Sequence, residues 1–181
     1  AYELPEKLIA YYPTRQRTDS RLFCLNKATG AIQHKKFKDS LKLINSGDLL
    51  ILNNTQVIPA RLFANKTTGG KVEILIERIL DKKRVFAQLK SSKSFKLGTI
   101  LTLENGVSLE IVARSENIFE LVFLTQPNTS ILELLNQIGH IPLPPYIQRP
   151  DELFDWERYQ TVFASIPGAI AAPTAGLHFD E

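Results

Sequence analysis

The segment Lys71-Val72-Glu73-Ile74-Leu75-Ile76-Glu77-Arg78-Ile79-Leu80 is the first of several short β-rich runs that follow the turn residues 67–70. The later runs cover residues 84–90, 99–103, 107–114 and 119–124. Short strands with a turn about every 8–12 residues are typical of a small antiparallel barrel or sandwich. The sequence therefore predicts a small β-barrel over residues 69–128.

The segment before the predicted barrel mixes strand and helix patterns. Residues 21–37 predict a hairpin, because two alternating runs flank a turn that contains Gly30. A short helix is expected next, with Asp39 as its N-cap and Gly47 at its end. The apolar run 49–52 then predicts a buried strand.

Helical patterns return after the predicted barrel. Ser130 and Glu133 form a capping box, and Gly139 ends the helix that they begin. The expected fold class is α+β or α/β: an α/β domain, residues 1–68 and 129–181, carrying the inserted small antiparallel β-barrel.

Composition excludes several classes of protein. Of the 181 residues, 44% are hydrophobic and 23% are charged, which is ordinary for a globular domain. No apolar run approaches the roughly 20 residues of a membrane span, and the first residues do not resemble a signal peptide, so a cytoplasmic location is expected. Three isolated histidines and one cysteine offer no pair at metal-ligand spacing, which argues against a metal site.

Two nucleotide-binding motifs are also absent from the sequence. No Gly-x-Gly-x-x-Gly follows a predicted strand, so the usual dinucleotide signature is missing. Gly69-Gly70-Lys71 resembles a phosphate loop, but Val72 takes the Ser/Thr position and the segment leads into a strand.

Basic residues are concentrated in two segments, although the net charge is only +3. Residues 7–42 contain nine Lys or Arg against two acids, and residues 66–96 contain nine against three. Clustered cations suit a polyanion such as RNA, because phosphate contacts come from Lys and Arg. A solvated basic surface is the commoner use of such clusters, so charge permits nucleic acid without requiring it.

The run 166–179 contains no fixed charge and little side-chain bulk before His178. Small residues bury little area, while glycine allows backbone to approach a ligand closely. Pro173-Thr174-Ala175-Gly176 therefore predicts a stiff turn that presents main chain beside His178, a candidate proton-transfer group. A tight connection into a buried element is the alternative, and composition does not decide between them.

Residues 139–147 contain three prolines within four positions. Proline forbids helix and favours a rigid extended path, which can hold His140 and Tyr146 at a fixed distance. Such a segment can form a ligand wall, although a connection between domains is the commoner role.

Seven segments of the sequence are distinctive as a set: residues 47–50, 53–55, 57–62, 68–73, 139–147, 159–162 and 171–179. They stand in the order found in the S-adenosylmethionine:tRNA ribosyltransferase-isomerase family of queuosine biosynthesis. The sequence therefore resembles that family from its first residues to its last.

The resemblance implies a specific reaction. The family transfers the ribosyl part of S-adenosylmethionine to 7-aminomethyl-7-deazaguanine at the tRNA wobble position, isomerises it, and releases adenine and methionine. The product is epoxyqueuosine in tRNA. The implied partners are this tRNA and S-adenosylmethionine as a substrate, with no permanently bound cofactor, no metal and no membrane. The implied fold is an α/β domain with an inserted barrel, and the full-length protein is expected to be a monomer.

The reaction that the resemblance implies assigns candidate roles to residues. A base must take a proton from the 5′ carbon beside the sulfonium, and an acid must assist adenine departure. The catalytic candidates are His178 and, second, His140. Candidates for binding S-adenosylmethionine are Asn53, Asn54, Thr55, Arg61, Tyr146, Thr174 and Gly176. Candidates for RNA phosphate contacts are Arg15, Arg17, Lys90, Lys93 and Lys96. For Asn53 and Thr55, simple turn capping is an equal alternative.

This sequence departs from the family pattern in several places. Gln56 replaces an expected basic residue, Phe163 an expected Tyr, and Asn54 a common Asp. The chain also ends at roughly half of the family's usual length, so the rest of the α/β domain is expected to be absent. A fragment of this kind is expected to be inactive, or to need a second chain. Two other functions remain open: a non-catalytic RNA-binding module, and a sugar isomerase or transferase acting on a small substrate.

Overall fold

The computed structural model describes residues 3–124 and 129–181. Its strands are β1 Arg21–Leu25, β2 Ile32–Lys36, β3 Thr55–Val57, β4 Arg61–Lys66, β5 Lys71–Ile79, β6 Arg84–Lys90, β7 Ile100–Leu103, β8 Ser108–Ser115, β9 Ile118–Phe123 and β10 Ile166–Ala169. The α-helices are α1 Ile131–Ile138 and α2 Asp155–Arg158. Short 3₁₀ helices cover Glu6–Leu8, Arg17–Asp19, Phe37–Leu43 and Thr174–His178.

The chain divides into two compact units. The first, here called the terminal unit, comprises Ala1–Gln56, Pro144–Ile166 and Ala172–Glu181. The second, the barrel unit, comprises Val57–Leu143 and Pro167–Ala171.

The barrel unit is built on a closed six-stranded barrel with the strand order β4-β5-β6-β9-β8-β7. All neighbouring strands are antiparallel, and the β4–β7 pairing closes the barrel. The register shifts in β5 between Ile76 and Arg78, and in β8 between Ile111 and Ala113. Such bulges bend and twist a strand, which assists closure. The expected α+β fold with a small antiparallel β-barrel is confirmed.

Alternation along the strands creates the barrel core. On β5, Val72, Ile74 and Ile76 are buried while their neighbours are partly exposed. Because successive side chains point to opposite faces of a strand, this pattern places one apolar face inside the barrel. Helix α1 adds Ile131 and Leu135 to the same buried cluster.

The predicted capping box of α1 is present. Ser130 Oγ accepts the amide of Glu133 at 3.2 Å, and Glu133 Oε2 accepts the amide of Ser130 at 3.0 Å. Gly139 follows the helix and donates its amide to Leu135 O at 2.7 Å.

The barrel does not begin where the sequence analysis placed its start. Strand β4 begins at Arg61, before the predicted boundary at residue 69. Strand β4 starts two residues after Pro59 and continues to Lys66. The predicted end at residue 128 lies outside the described residues.

In the terminal unit, the predicted hairpin is present as β1 and β2, paired antiparallel. The predicted helix after it is a 3₁₀ helix, Phe37–Leu43, which ends before Gly47. Asp39 is not its N-cap: its carboxylate accepts the amide of Lys36, three residues upstream, at 3.1 Å. A carboxylate in a first turn satisfies a free amide as effectively as a cap does.

The prediction of a buried strand at residues 49–52 is wrong for the described structure. The segment belongs to none of the described sheets. Leu49 and Ile51 are 85% and 83% exposed. Burying a strand needs neighbours that pair its backbone and cover its faces. The described residues supply no sheet for this segment, so its apolar side chains stay exposed.

Arg149 forms an ion pair in one segment of the terminal unit and links that segment to the first one. The Arg149 guanidinium donates to both carboxylate oxygens of Asp155, at 2.7 and 2.8 Å. It also lies 4.3 Å from the ring centroid of Tyr12 and donates to Tyr11 O at 3.0 Å. The amide of Glu152 donates to the same carboxylate at 2.8 Å. Asp155 is 3% exposed, so this bidentate pair is shielded from water.

We expect this pair to make the protein less stable in acid. Burial raises the pKa of Asp155, but the hydrogen bonds from Arg149 and from the Glu152 amide, with the charge of Arg149, lower that pKa by more in total. A carboxyl whose pKa is lower in the folded state stabilises the fold above its unfolded pKa of about 3.9. That contribution is lost as the pH falls through the folded pKa.

Urea unfolding between neutral pH and pH 2 checks this expectation. Asp155→Asn should unfold at lower urea at neutral pH and should lose less stability on acidification than the unmodified protein. Glu104→Gln, at an exposed barrel position, is the control and should keep the unmodified acid response. An equally steep loss in Asp155→Asn would contradict the assignment.

Candidate functional site

The small-residue segment near the end of the chain forms a tight turn in the terminal unit. Thr174–His178 is a 3₁₀ helix that follows Pro173. The Gly176 amide donates to Pro173 O at 2.8 Å, and the Phe179 amide donates to Gly176 O at 3.3 Å. Proline cannot donate and presets its own φ angle, which suits the position before such a turn.

The Arg17 side chain holds this turn through hydrogen bonds to backbone carbonyls. Its Nη1 donates to Gln160 O at 2.8 Å and to Leu177 O at 3.2 Å, and its Nη2 donates to Glu157 O at 2.9 Å. Burial lowers the pKa of the Arg17 guanidinium, and the nearby charge of Arg158 adds to this effect. A guanidinium that serves three carbonyls inside the unit is poorly placed to bind a phosphate. The structure therefore argues against Arg17 as an RNA contact.

His178 is half-buried at the end of the turn. Its Nδ1 lies 2.9 Å from Ser20 Oγ. Its ring packs against Phe37 with centroids 5.4 Å apart, and Phe37 also meets Phe179 edge-on at 4.9 Å. One polar and one aromatic neighbour thus fix the imidazole. A half-exposed, oriented imidazole is suited to proton transfer.

Gly176 is packed against its own protein chain. A Cβ at this position would lie 2.7 Å from Thr161 Cγ2 and 3.1 Å from Phe163 Cζ. Thr161 is 4% exposed and cannot move freely. The described contacts explain the glycine by packing, and its candidate role in binding S-adenosylmethionine stays a prediction.

The Asn53–Thr55 cluster makes local hydrogen bonds. Asn53 Oδ1 accepts the Thr55 amide at 2.9 Å, which is the turn-capping arrangement. Asn54 Nδ2 donates to Ser165 Oγ at 3.3 Å. The capping alternative therefore describes Asn53, while the side chain of Asn54 is exposed.

Three further candidates lie on the surface of the terminal unit. Tyr146 is 53% exposed, and Thr174 and Arg15 are exposed. Their side chains are accessible to a ligand, and their roles stay predictions.

Arg61 and His140 come together in the barrel unit. Their backbones form an antiparallel bridge, with hydrogen bonds of 3.1 and 2.8 Å. Arg61 Nε lies 3.1 Å from Glu73 Oε1, and Arg61 Nη2 donates to Leu143 O at 3.0 Å. The His140 ring meets the Phe63 ring edge-on, with centroids 5.1 Å apart. Arg61, a candidate for binding S-adenosylmethionine, thus already faces the Glu73 carboxylate of its own barrel. This carboxylate weakens the attraction of the guanidinium for another anion.

A groove on the barrel collects basic and hydroxyl side chains. It encloses about 450 Å³ and is lined by Gln88, Leu89, Lys90, Ser91, Ser92, Lys93, Ser94, Phe95, Arg114, Asn117 and Phe119. No Asp or Glu occurs among these described lining residues. Two other barrel grooves are lined by acids as well as bases. We call the first one the basic groove.

The walls of the basic groove are held in place by Lys66 and by the edge-on contact of two aromatic rings. Lys66 Nζ donates to Lys93 O at 3.0 Å and lies 4.2 Å from the Phe95 ring centroid. Phe95 meets Phe119 edge-on at 5.3 Å, and the Arg114 guanidinium lies 5.0 Å from the Phe119 centroid. The groove is therefore an ordered surface. Lys96, the remaining candidate for RNA contact, is exposed but does not line it.

The contact between Ser20 and His178 could not be predicted from the sequence. These residues are 158 positions apart, and Ser20 lies in no motif that signals chemistry. Arg114 was not among the predicted residues either, because this arginine lies outside both basic segments. Pairing of β8 with β9 brings Arg114 opposite Phe119.

Two features are absent from residues 3–124 and 129–181. No three of their His, Cys, Asp or Glu side chains lie together as a metal-binding group. No helix in this part of the chain has the length and apolar character to cross a membrane.

The fold and these sites define an α+β protein with an inserted six-stranded antiparallel barrel and a basic barrel groove. Comparison with known families then places the chain. The family model described as "Queuosine biosynthesis protein" matches residues 1–181. The chain belongs to this family, which confirms the resemblance seen in the sequence.

A solved structure is also similar in sequence. The chain is 33% identical to an S-adenosylmethionine tRNA ribosyltransferase from Thermotoga maritima, over 81% of this chain and 50% of that one, with a TM-score of 0.39. This chain thus spans about half of the length of that solved protein.

Proposed function

We propose that this protein acts in queuosine biosynthesis as an S-adenosylmethionine:tRNA ribosyltransferase-isomerase. Its substrates are S-adenosylmethionine and a tRNA that carries 7-aminomethyl-7-deazaguanine at the wobble position. Its products are epoxyqueuosine in tRNA, adenine and methionine. The observation that carries the proposal is the match of the queuosine biosynthesis family over residues 1–181. The full-length protein is proposed to act in the cytoplasm as a monomer, which light scattering tests.

The chemistry needs proton transfer at the donor sugar. The sulfonium acidifies the adjacent 5′ carbon, and a base removes its proton while an acid assists the departure of adenine. We assign the base to His178, because its ring is oriented by Ser20 and Phe37 beside the C-terminal turn. His140 is the second candidate. Asn53, Asn54, Thr55, Arg61, Tyr146, Thr174 and Gly176 remain the proposed S-adenosylmethionine contacts.

We assign tRNA binding to the basic groove. No carboxylate occurs among its described lining residues, and its serine hydroxyls can donate to phosphate oxygens. Phosphate contacts of this kind position an RNA without reading its sequence. Lys90 and Lys93 are the principal contacts, with Arg114 beside them. Arg15 and Lys96 are proposed outside the groove, and Arg17 is no longer proposed.

The salt dependence of tRNA binding should change when a groove lysine is removed. Lys90→Ala and Lys93→Ala should each weaken binding and reduce the slope of log K against log salt by about one, because one phosphate contact is lost. Fluorescence anisotropy with labelled tRNA at several salt concentrations measures this slope. Lys82→Ala, on an exposed barrel turn outside the groove, is the control and should keep the original slope. Unchanged slopes in both groove variants would contradict this assignment.

One assay separates the proposed function from its alternatives. The full-length protein is incubated with S-adenosylmethionine and tRNA bearing 7-aminomethyl-7-deazaguanine, and released adenine and methionine are measured. Release that depends on the modified tRNA is the expected result. Release without tRNA would instead favour a small-molecule enzyme. Binding of tRNA without release would favour a non-catalytic RNA-binding module, for which the basic groove is the supporting observation.

A further inference from the structure

The hydroxyl of Ser20 has two described neighbours within hydrogen-bond distance. Its Oγ donates to Arg17 O at 3.2 Å, and it lies 2.9 Å from His178 Nδ1. A serine hydroxyl has one hydrogen and two lone pairs, and a carbonyl oxygen only accepts. Because the single hydrogen is directed to Arg17 O, the oxygen is left to accept from His178. The His178 nitrogen facing Ser20 must then carry a proton.

We propose that Ser20 is a positioning residue that sets the tautomer of His178. In the neutral ring only one nitrogen is protonated, so a proton on Nδ1 leaves the lone pair on Nε2. Nε2 is then the atom that accepts a proton in the reaction. This inference rests on the proposed function for its catalytic meaning, whereas the tautomer itself is a property of the protein alone.

Arg17 contributes to the same arrangement through its backbone carbonyl and through its side chain. Its backbone carbonyl receives the Ser20 hydrogen, and its guanidinium donates to Leu177 O, directly before His178. One arginine therefore fixes both the acceptor that orients the Ser20 hydroxyl and the backbone that carries the imidazole. Ser20, Arg17 and His178 are all half-buried, so water competes less for these bonds than at the surface.

The tautomer is measured directly by nitrogen-15 NMR of the histidine ring, at a pH where the ring is neutral. The His178 signals are assigned by their loss in His178→Gln. The expected result is a protonated Nδ1 and an unprotonated Nε2. In Ser20→Ala the Nδ1 proton should lose its preference, whereas Ser20→Thr, which retains the hydroxyl, should restore it. Thr18→Ala removes a neighbouring hydroxyl that bonds Asp180, and it should leave the His178 signals unchanged.

Kinetics of adenine release give the second readout. Ser20→Ala should lower kcat by about five- to tenfold with little change in KM, as expected for loss of one neutral hydrogen bond to a catalytic ring. Ser20→Thr should recover most of that loss. A protonated Nε2 in the unmodified protein, or a tautomer unchanged in Ser20→Ala, would overturn the inference. If adenine release is absent from the unmodified protein, the proposed function fails, while the NMR result still decides the role of Ser20.

Discussion

Replacing His178 with alanine should lower kcat for adenine release by about 10²–10⁴-fold, the usual contribution of a positioned general acid or base. The reason is that Nε2 of this ring is the proposed proton acceptor, and alanine offers no group in its place. The KM for S-adenosylmethionine should change little, because the loss falls on the chemical step. Release of adenine is measured with saturating modified tRNA.

Two further variants make the His178 result interpretable. His178→Gln retains a side-chain amide that can donate to Ser20, yet it cannot act as a base, so it should be as inactive as alanine. His34→Ala removes an exposed histidine whose ring meets Phe23 in the β1–β2 hairpin, and it should retain full activity. If His140→Ala is inactive while His178→Ala is active, the base is His140 and the assignment is wrong.

Replacing Gly139 with alanine should lower the free energy of unfolding by about 3 kcal/mol or more, at the upper end of the range for overpacking. A Cβ at Gly139 would lie 2.0 Å from Pro59 O and 2.5 Å from Leu135 O. Both are backbone oxygens, so a side-chain rotation cannot relieve the clash. Pro59 is buried directly before β4, and Leu135 is part of the barrel-unit core. Either α1 or the entry to the barrel must therefore shift.

Gly70→Ala is the matched control for this variant. A Cβ at Gly70 would meet only Lys66 Cδ, at an ordinary 3.7 Å, and this glycine has no positive φ. Its effect should stay within about 0.5 kcal/mol. Urea unfolding followed by far-UV circular dichroism compares the two, because the single tryptophan, Trp156, lies in the terminal unit and does not report on the barrel. Equal midpoints for the two variants would show that α1 and Pro59 adapt without cost.

Local patterns predicted the barrel and the first turn of α1. Alternation on β5 and the pair Ser130 and Glu133 each act within a few residues, so a window of sequence contains the complete signal. The segment 49–52 shows the limit of this reasoning. Its apolar run predicts burial, but burial depends on partners that the segment itself does not encode.

The candidate site was predictable only in part. Family phrases pointed to His178, His140 and the C-terminal turn, because each lies in a continuous motif. The basic segments made Arg17 a candidate for RNA contact, whereas its guanidinium donates hydrogen bonds to three backbone carbonyls. Charge in a sequence indicates that a cation is present, but burial and hydrogen bonds decide what that cation can bind.

The sequence by itself determined the family, five of the six barrel strands and the identity of the candidate base. Tertiary structure alone decided how that base is held: Ser20 meets His178 across 158 positions, and the same region brings Arg17 to the backbone before it. Tertiary structure also decided which cations remain available to bind RNA. The Arg17 side chain makes hydrogen bonds within the protein, whereas Arg114 lines the basic groove with Lys90 and Lys93. The physical reason is that hydrogen-bond direction, desolvation and shared surfaces are properties of residues in space, which spacing along the chain does not contain.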